Sequence, residues 1–325
     1  MRKLIKFILF FPLVALIISL SFAYCEGRGR NSESSVFSCL VAGYDEAAEN
    51  TDVLFIMSYD KEKDEVTFVQ IPRDSFTEYR GKYGKVNRIF SSERARGKSG
   101  DDALSELSLA IEEYLGVKID ASVALSLNAL LRFIDNFGGV SLNVPESVAL
   151  EKLPIKLSYG ENVVSAADAL KLVRGRSGYA SGDLGRLDAQ KIFLEGLFHT
   201  VFNKLDAKRL VKLIFSRDSE VFVKAPVVEA SGLLMREFGD LKKAKITLLT
   251  LPGEACEYGG VSYYVVNRRA ASAAIANYIS GGTDNFDKEY KLTDGNNPTI
   301  NGIYMKDSLS YKIYSDGITK DINVN

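Results

Sequence analysis

The stretch 172–190 reads LVRGRSGYASGDLGRLDAQ. It sets Arg174, Arg176 and Arg186 around a turn rich in glycine and serine, with Asp183 in the turn and Gln190 after it. Arginine is planar and permanently charged, and it fits phosphate oxygens two at a time. Arg174 and Arg176 are two apart, so in an extended chain both leave the same face. Arg186 and Gln190 are four apart, so on a helix they share a face. Any one of these arginines is compatible with an ordinary ion pair; together they suit a phosphate-sized anion gripped from two directions.

A second group lies upstream. IPRDSF (71–76) puts Arg73 and Asp74 directly after an apolar strand, where α/β folds place their ligands. Pro72 fixes φ and cannot donate, which suits a strand end. KVN (85–87) adds Lys85 and Asn87 in a loop. Asp45 follows the first strand and Asp52 opens the second. Acids beside arginines suggest a divalent cation that bridges carboxylates to a phosphate; alone, either acid is equally a turn or cap residue.

The elements that must position these groups alternate. SCLVAGYD (38–45), TDVLFIMSYD (51–60) and VTFVQIP (66–72) are apolar runs with the character of buried strands, the last two forming a hairpin. Residues 101–115 have helical apolar spacing, with Asp101 or Asp102 as N-cap and Gly116 as stop. Further helices are expected at 124–140, 165–173, 184–204, 208–215, 230–241 and 270–279, and strands at 141–144 and 245–253. This alternation predicts an α/β fold with a central sheet covered by helices. After Gly281 the chain turns to Asp, Asn, Lys and Gly, so 282–325 reads as a polar tail with room for a small hairpin.

Composition excludes several classes of function. The 325 residues carry a formal net charge of −1, which gives no basic excess for non-specific nucleic-acid binding. His199 is the single histidine, which argues against histidine-rich metal sites and histidine-based triads. Cys25, Cys39 and Cys256 form no CxxC pair, so zinc binding is not expected. A Cys39–Cys256 disulfide stays open, as does a plain core role for Cys39. At the N-terminus Arg2, Lys3 and Lys6 precede Phe7–Cys25, an uncharged apolar stretch long enough to cross a bilayer. The basic flank keeps the N-terminus inside and exports the chain beyond Cys25. Residues 1–25 are therefore read as a membrane anchor, with a signal peptide cleaved near Ala23-Tyr24-Cys25 as the alternative. Residues 26–37 are a linker, 38–281 the main domain and 282–325 the tail.

GYD, NTDV, IPRDSF, KVN, FIDNFGGV, ADALKLVRGR, GDLGR…Q and LPG…GVSYY occur in this order over residues 38–270. In combination they resemble the LytR–CpsA–Psr family of membrane-anchored cell-envelope proteins. That resemblance implies a three-layer α-β-α domain with a central mixed sheet and an apolar groove, preceded by one transmembrane helix. It implies a Mg²⁺- or Mn²⁺-dependent phosphotransferase, outside the membrane, that moves a glycopolymer from a polyprenyl pyrophosphate carrier to peptidoglycan. By the same resemblance, Asp45 and Asp52 match the acids that hold the metal. Arg73, Arg174, Arg176, Arg186, Gln190, Lys85 and Asn87 match the groups around the pyrophosphate. Asp74 and Asp183 match acids that hold or orient those groups, both being candidate bases. Arg73, Asp74, Arg174 and Asp183 are the expected catalytic set.

The resemblance has departures. Val53 stands where a threonine is usual, Ala189 where an arginine is usual, and Ser99-Gly100 where a glycine pair is usual. These losses give some support to a rival, a non-catalytic or pyrophosphatase-like binder of polyprenyl pyrophosphate lipids. An envelope-linked transcriptional attenuator lacks any helix-turn-helix pattern or basic face here.

Overall fold

The structure is a computed structural model. It describes residues 36–60, 62–144, 155–174, 183–204, 206, 220–224, 239–240, 242–258, 260–279, 310–315 and 318–323. The stretch Phe7–Cys25 and the helix expected at 208–215 lie outside these residues, as does 230–241 apart from residues 239–240. Among the described residues no helix is long and apolar enough to cross a membrane.

The strands of the main sheet are β1 (Val36–Tyr44), β2 (Thr51–Asp60), β3 (Glu65–Gln70), β6 (Ala121–Ser126), β9 (Val221–Lys224), β10 (Lys245–Thr250), β13 (Ser310–Ser315) and β14 (Ile318–Asn323). Their order is β14-β13-β10-β3-β2-β1-β6-β9. β2 runs antiparallel to both β1 and β3, while β6 is parallel to β1 and β10 parallel to β3. The sheet is therefore mixed, and the carboxyl ends of β1, β3, β6 and β10 share one edge with the amino end of β2. Three two-stranded ribbons stand apart from it: β4 (Phe76–Tyr79) with β5 (Lys82–Lys85), β7 (Val140–Val144) with β8 (Gly160–Val164), and β11 (Gly253–Tyr258) with β12 (Val261–Val266).

Period-two alternation along β1 builds two cores. Cys39 and Val41 face one, with Phe55, Met57 and Phe68. That face is covered by α3 (Leu127–Asn136), α4 (Ala166–Arg174) and α5 (Asp183–Lys204), through Leu130, Ile134, Leu172 and Phe198. Leu40 and Ala42 face the other, with Ile56 and Val69. Here the cover is α1 (Ile89–Ala95), α2 (Gly100–Leu115) and α6 (Arg268–Tyr278), through Phe90, Leu107, Ile111 and Ile275. Helices on both faces of a mixed sheet are the layered α/β architecture that the alternation predicts. Fully burying a side chain such as Phe68 or Phe198 contributes about 2 kcal/mol.

Some expectations shift. The run expected as a helix over 124–140 begins as strand: Ala124–Ser126 complete β6, where Ala124 pairs with Ala42. Ser126 then caps α3 by accepting from the Ala129 amide, and Glu46 of the β1–β2 loop accepts from the Asn128 amide at 2.8 Å. The cap of α2 is Ser99, with Asp101 and Asp102 in the first turn, and Gly116 stops the helix in the left-handed region at φ 65°. Arg174 closes a helix, so the extended geometry that pairs it with Arg176 does not hold at that residue. Within 282–325, β13 and β14 pair antiparallel with each other, and β13 pairs with β10, as Leu248 opposite Tyr314. Cys39 is buried and Cys256 lies on β11; both are free thiols.

The β4–β5 hairpin, which carries Lys85, is fastened at its tip. Its turn is Arg80-Gly81, both at positive φ. Arg80 reaches Glu93 of α1, a carboxylate with no solvent exposure, at 3.2 Å and Glu106 of α2 at 3.3 Å. Lys98 meets Glu93 at 3.0 Å and also pairs with Glu106, while Arg96 closes on Glu93 from a third side. Burial on its own raises the Glu93 carboxyl. The hydrogen bonds from Lys98, Tyr79 and Arg96 and the Arg80 charge outweigh it and hold the group below the usual carboxylate range.

This packing makes two substitutions informative. Gly196 of α5 lies so close to β7 that a Cβ there sits 2.4 Å from the Ser141 carbonyl oxygen. Gly196→Ala is expected to destabilise the fold by about 1–3 kcal/mol in thermal or denaturant unfolding, against alanine's better helix propensity. Glu93→Gln is expected to cost about 2 kcal/mol at neutral pH by weakening charged hydrogen bonds. Because the folded-state pKa is depressed, this stability is present above the ordinary carboxylate value and lost as the pH falls through the folded one. The gap between wild type and variant should therefore close below about pH 4, and parallel stability–pH curves would contradict it.

Candidate functional site

The site lies at the sheet edge where β1, β3, β6 and β10 end, the usual ligand edge of an open α/β sheet. Asp45 leaves β1. Its Oδ1 accepts from the amides of Ala47 at 2.9 Å and Ala48 at 3.2 Å, which folds the β1–β2 loop back on itself. Glu49 of that loop pairs with Arg94 of α1 at 3.0 Å, and Asn50 accepts from Ser91 at 2.8 Å. The loop is thus tied to α1 as well as to the start of α3.

Arg73 follows β3 and Pro72. Its Nη1 donates to Asp52 Oδ1 at 2.7 Å, and its Nε lies 3.9 Å from Asp74 Oδ2. Asp74 Oδ1 pairs with Lys85 Nζ at 2.9 Å. The Arg73 carbonyl accepts from the Asn87 amide at 3.2 Å, and the Asn87 carbonyl accepts from Thr51 Oγ1 at 3.4 Å. Asp52, Arg73, Asp74, Lys85 and Asn87 are therefore brought together at this edge. Lys85 ends β5 and Asn87 lies in the short 3-10 turn after it, not in an open loop.

Three buried polar atoms in this group have no hydrogen-bond partner: Arg73 Nε, Ser75 Oγ and Asn87 Oδ1. An unsatisfied buried donor or acceptor costs about 1–3 kcal/mol, so their concentration at one edge marks a place that a polar ligand or water completes. Arg73 Nε is a donor and suits a phosphate oxygen; Asn87 Oδ1 is an acceptor and suits a cation or hydroxyl.

Beside the charged group is a small, partly open apolar pocket. Val41, Val53 and Phe55 of the sheet form one wall, and Leu130, Phe193 and Leu197 of α3 and α5 form the other. Gln190 is the polar side chain among the described lining residues. Its Oε1 accepts from Gln70 Nε2 at 2.6 Å, and Gln70 Oε1 accepts from Thr250 Oγ1 at 2.8 Å. This buried chain joins α5 to β3 and β10. Gln190 thus anchors its helix to the sheet at the wall of the cavity, and the signal for that link is the polar Gln70 inside the apolar run VTFVQIP. Tyr264, hydrogen-bonded to the Leu251 carbonyl at 2.8 Å, has its phenol pushed well up by burial and then by Glu254, so it stays neutral behind the site.

Arg176 lies outside the described residues, and so do the side chains of Arg174, Asp183 and Arg186, whose backbones end α4 and open α5. Of the departures, Val53 adds an apolar wall to the cavity next to Asp52. Ser99-Gly100 serves the start of α2: a Cβ on Gly100 would sit 2.1 Å from the Phe222 ring.

The residues present fit a divalent cation by donor chemistry. Asp45 and Asp52 are hard oxygen donors on adjoining strand ends, and Asn87, whose backbone contacts Arg73 and Thr51, carries a side-chain oxygen without a hydrogen-bond partner. Among the described residues no group of three or more His, Cys, Asp or Glu could hold a metal, so a cation here relies on this smaller set.

Comparison with known proteins agrees with this geometry. The chain is 28% identical over 173 residues to the polyisoprenyl-teichoic acid–peptidoglycan teichoic acid transferase TagU of Halalkalibacterium halodurans. That match covers 51% of this chain and spans about half, 53%, of the relative's length. A transferase of the same name from Bacillus licheniformis is 23% identical over 249 residues, covering 74% of this chain and 76% of that protein. The fold is similar to that of a solved structure described as TagT bound to LIIa-WTA, with a TM-score of 0.60 at 19% identity, covering 80% of this chain and 95% of the other. The LytR_cpsA_psr family model matches residues 23–278. With that match over most of its length, and with the sheet edge that carries the motifs assembled as described, the chain belongs to the LytR_cpsA_psr family.

Proposed function

We propose that this protein is a phosphotransferase that moves a glycopolymer from a polyprenyl pyrophosphate carrier to peptidoglycan on the outer side of the cell membrane. The observation that carries this reading is the junction at Asp52-Val53. Asp52 holds Arg73, whose Nε has no hydrogen-bond partner, while the next residue, Val53, lines the apolar cavity. A charged seat that continues into a greasy one suits a molecule with a pyrophosphate head and a prenyl tail. The transferase names of the two relatives support the same reaction. Phe7–Cys25 would tether the domain at the membrane where such lipids reside.

Phosphoryl transfer asks little covalent work of a protein; positioning and charge stabilisation do most of it. Arg73, together with Arg174, Arg176 and Arg186, holds the pyrophosphate oxygens, and Lys85 and Asn87 complete the seat. A sugar hydroxyl of the acceptor attacks the phosphorus that bears the glycan. A new P–O bond forms, the bridging P–O bond breaks, and polyprenyl phosphate departs with its charge held by the guanidinium groups. Asp74 is pinned by Lys85 and flanked by Arg73. It orients those cations, and the hydroxyl proton passes to one of the two candidate acids, Asp74 or Asp183. A bound Mg²⁺ or Mn²⁺, held by Asp45 and Asp52, would supply further neutralisation of the pyrophosphate charge. Ala189, where an arginine is usual, favours a second reading in which the site binds the carrier lipid without transfer.

Arg73→Ala is expected to lower transfer by about 10²–10³-fold while the protein stays folded, read by mass spectrometry of the peptidoglycan product and by a melting curve. Full activity in this variant would remove Arg73 from the reaction. Chelation with EDTA is expected to stop wild-type turnover and added Mg²⁺ to restore it; turnover unaffected by chelation would remove the metal from Asp45 and Asp52. Lipid bound without any transferred product would establish the second reading.

A further inference from the structure

Next to Lys85 the two small ribbons present an aromatic surface that the transfer reading does not use. Phe76 and Lys85 are directly paired across β4–β5, as are Glu78 and Tyr83, so all four side chains leave one face of the ribbon. Tyr83 lies flat on Phe76, with ring centroids 5.6 Å apart and an interplanar angle of 12°. Phe76 is buried, but Tyr83 is 45% exposed, so the outer face of its ring is open. Tyr263 of β12 stands edge-on to Phe76 at 5.2 Å, and Lys85 Nζ lies 5.6 Å from the centre of the Tyr263 ring. The two ribbons are locked together by the bridge between Ser75 and Tyr264 and by the Tyr264 amide, which donates to the Asp74 carbonyl at 2.9 Å.

An aromatic ring held rigid from below, open above and rimmed by charged groups has the chemistry of a sugar subsite. The C–H face of a pyranose packs on the electron-rich face of the ring, while Glu78 and Lys85 offer hydrogen bonds to hydroxyl and amide groups. A lipid chain would offer those two groups no hydrogen bond. The position selects which sugar. From the cavity the residues run in series: Val53, Asp52, Arg73, Asp74, Lys85, and then the aromatic rings. In phosphoryl transfer the attacking and leaving oxygens lie roughly in line through phosphorus. With the departing prenyl phosphate on the cavity side, the attacking hydroxyl approaches from the Lys85 side. We propose that Tyr83, supported by Phe76 and flanked by Tyr263, Lys85 and Glu78, is the platform on which the acceptor glycan strand of peptidoglycan stacks. This rests on the transfer reading for the identity of the acceptor, but not for the binding of a glycan.

The test uses the full-length protein. The chain has no tryptophan, so Tyr83→Trp introduces a single reporter at the platform. Its emission is expected to change on titration with a peptidoglycan tetrasaccharide and to stay constant with polyprenyl phosphate. In transfer assays Tyr83→Ala is expected to raise the acceptor KM at least about tenfold, with the donor KM unchanged, and Tyr83→Phe to restore the wild-type value. An unchanged acceptor KM in Tyr83→Ala, or a rise in donor KM instead, overturns the platform while leaving the transfer reading intact. A wild-type protein that transfers nothing, yet binds the tetrasaccharide in a Tyr83-dependent manner, overturns the transfer reading and supports the platform.

Discussion

The contact between Arg73 and Asp52 ties the end of one strand to the start of its neighbour, and the site's chemistry is arranged around it. It fixes a guanidinium at the sheet edge without neutralising all of its donors, because Nε is left for something else. It also sets the boundary between two environments. On one side Asp52 leads to Val53 and the apolar cavity; on the other Arg73 leads to Asp74, Lys85 and the ribbons. The antiparallel course of β2 between β1 and β3 makes the contact possible, since it brings the start of β2 to the edge where β3 ends.

Further support comes from polar contacts that brace the elements around the site. Glu93 draws Arg80, Arg96 and Lys98 onto a carboxylate fully removed from solvent, which pins the hairpin tip opposite to Lys85. The Thr250–Gln70–Gln190 chain does the same for α5, by giving a buried amide on the helix a partner on the sheet. Both hold a buried polar group, Glu93 in one and Gln70 with Gln190 in the other, that loses its compensation in a low-dielectric interior when its partners are removed.

Much of the main sheet is legible in the sequence because β1, β2 and β3 are long apolar runs bounded by turns. The charged groups at their ends, Asp52, Arg73 and Asp74, are legible for the same reason. Ala124–Ser126 is harder. The run ALSLNALLRF satisfies both periods over its first residues, and only pairing with β1 decides for strand. The ribbons β4–β5 and β11–β12 are too short to show a period of their own, and what stabilises them is mutual contact among Phe76, Tyr83, Tyr263 and Val265. The β13–β14 pair hides in a polar composition because it joins the sheet through β10, far away in sequence. Gln190 is readable as a polar residue on a helix face, but its partner Gln70 looks like an interruption in an apolar strand until the fold closes.

That last closure bears on when the protein becomes competent. Gln70 and Thr250 are 180 residues apart, and Asp120 reaches back 82 residues to the Ser38 amide. Forming a sheet from such distant partners requires closing large loops before the contacts repay the lost entropy, which slows folding. The edge that carries Asp52, Arg73 and Gln190 is assembled from these long-range pairings. A partly folded chain therefore lacks the seat altogether, and affinity for a ligand at this edge measures whether the whole sheet has been completed.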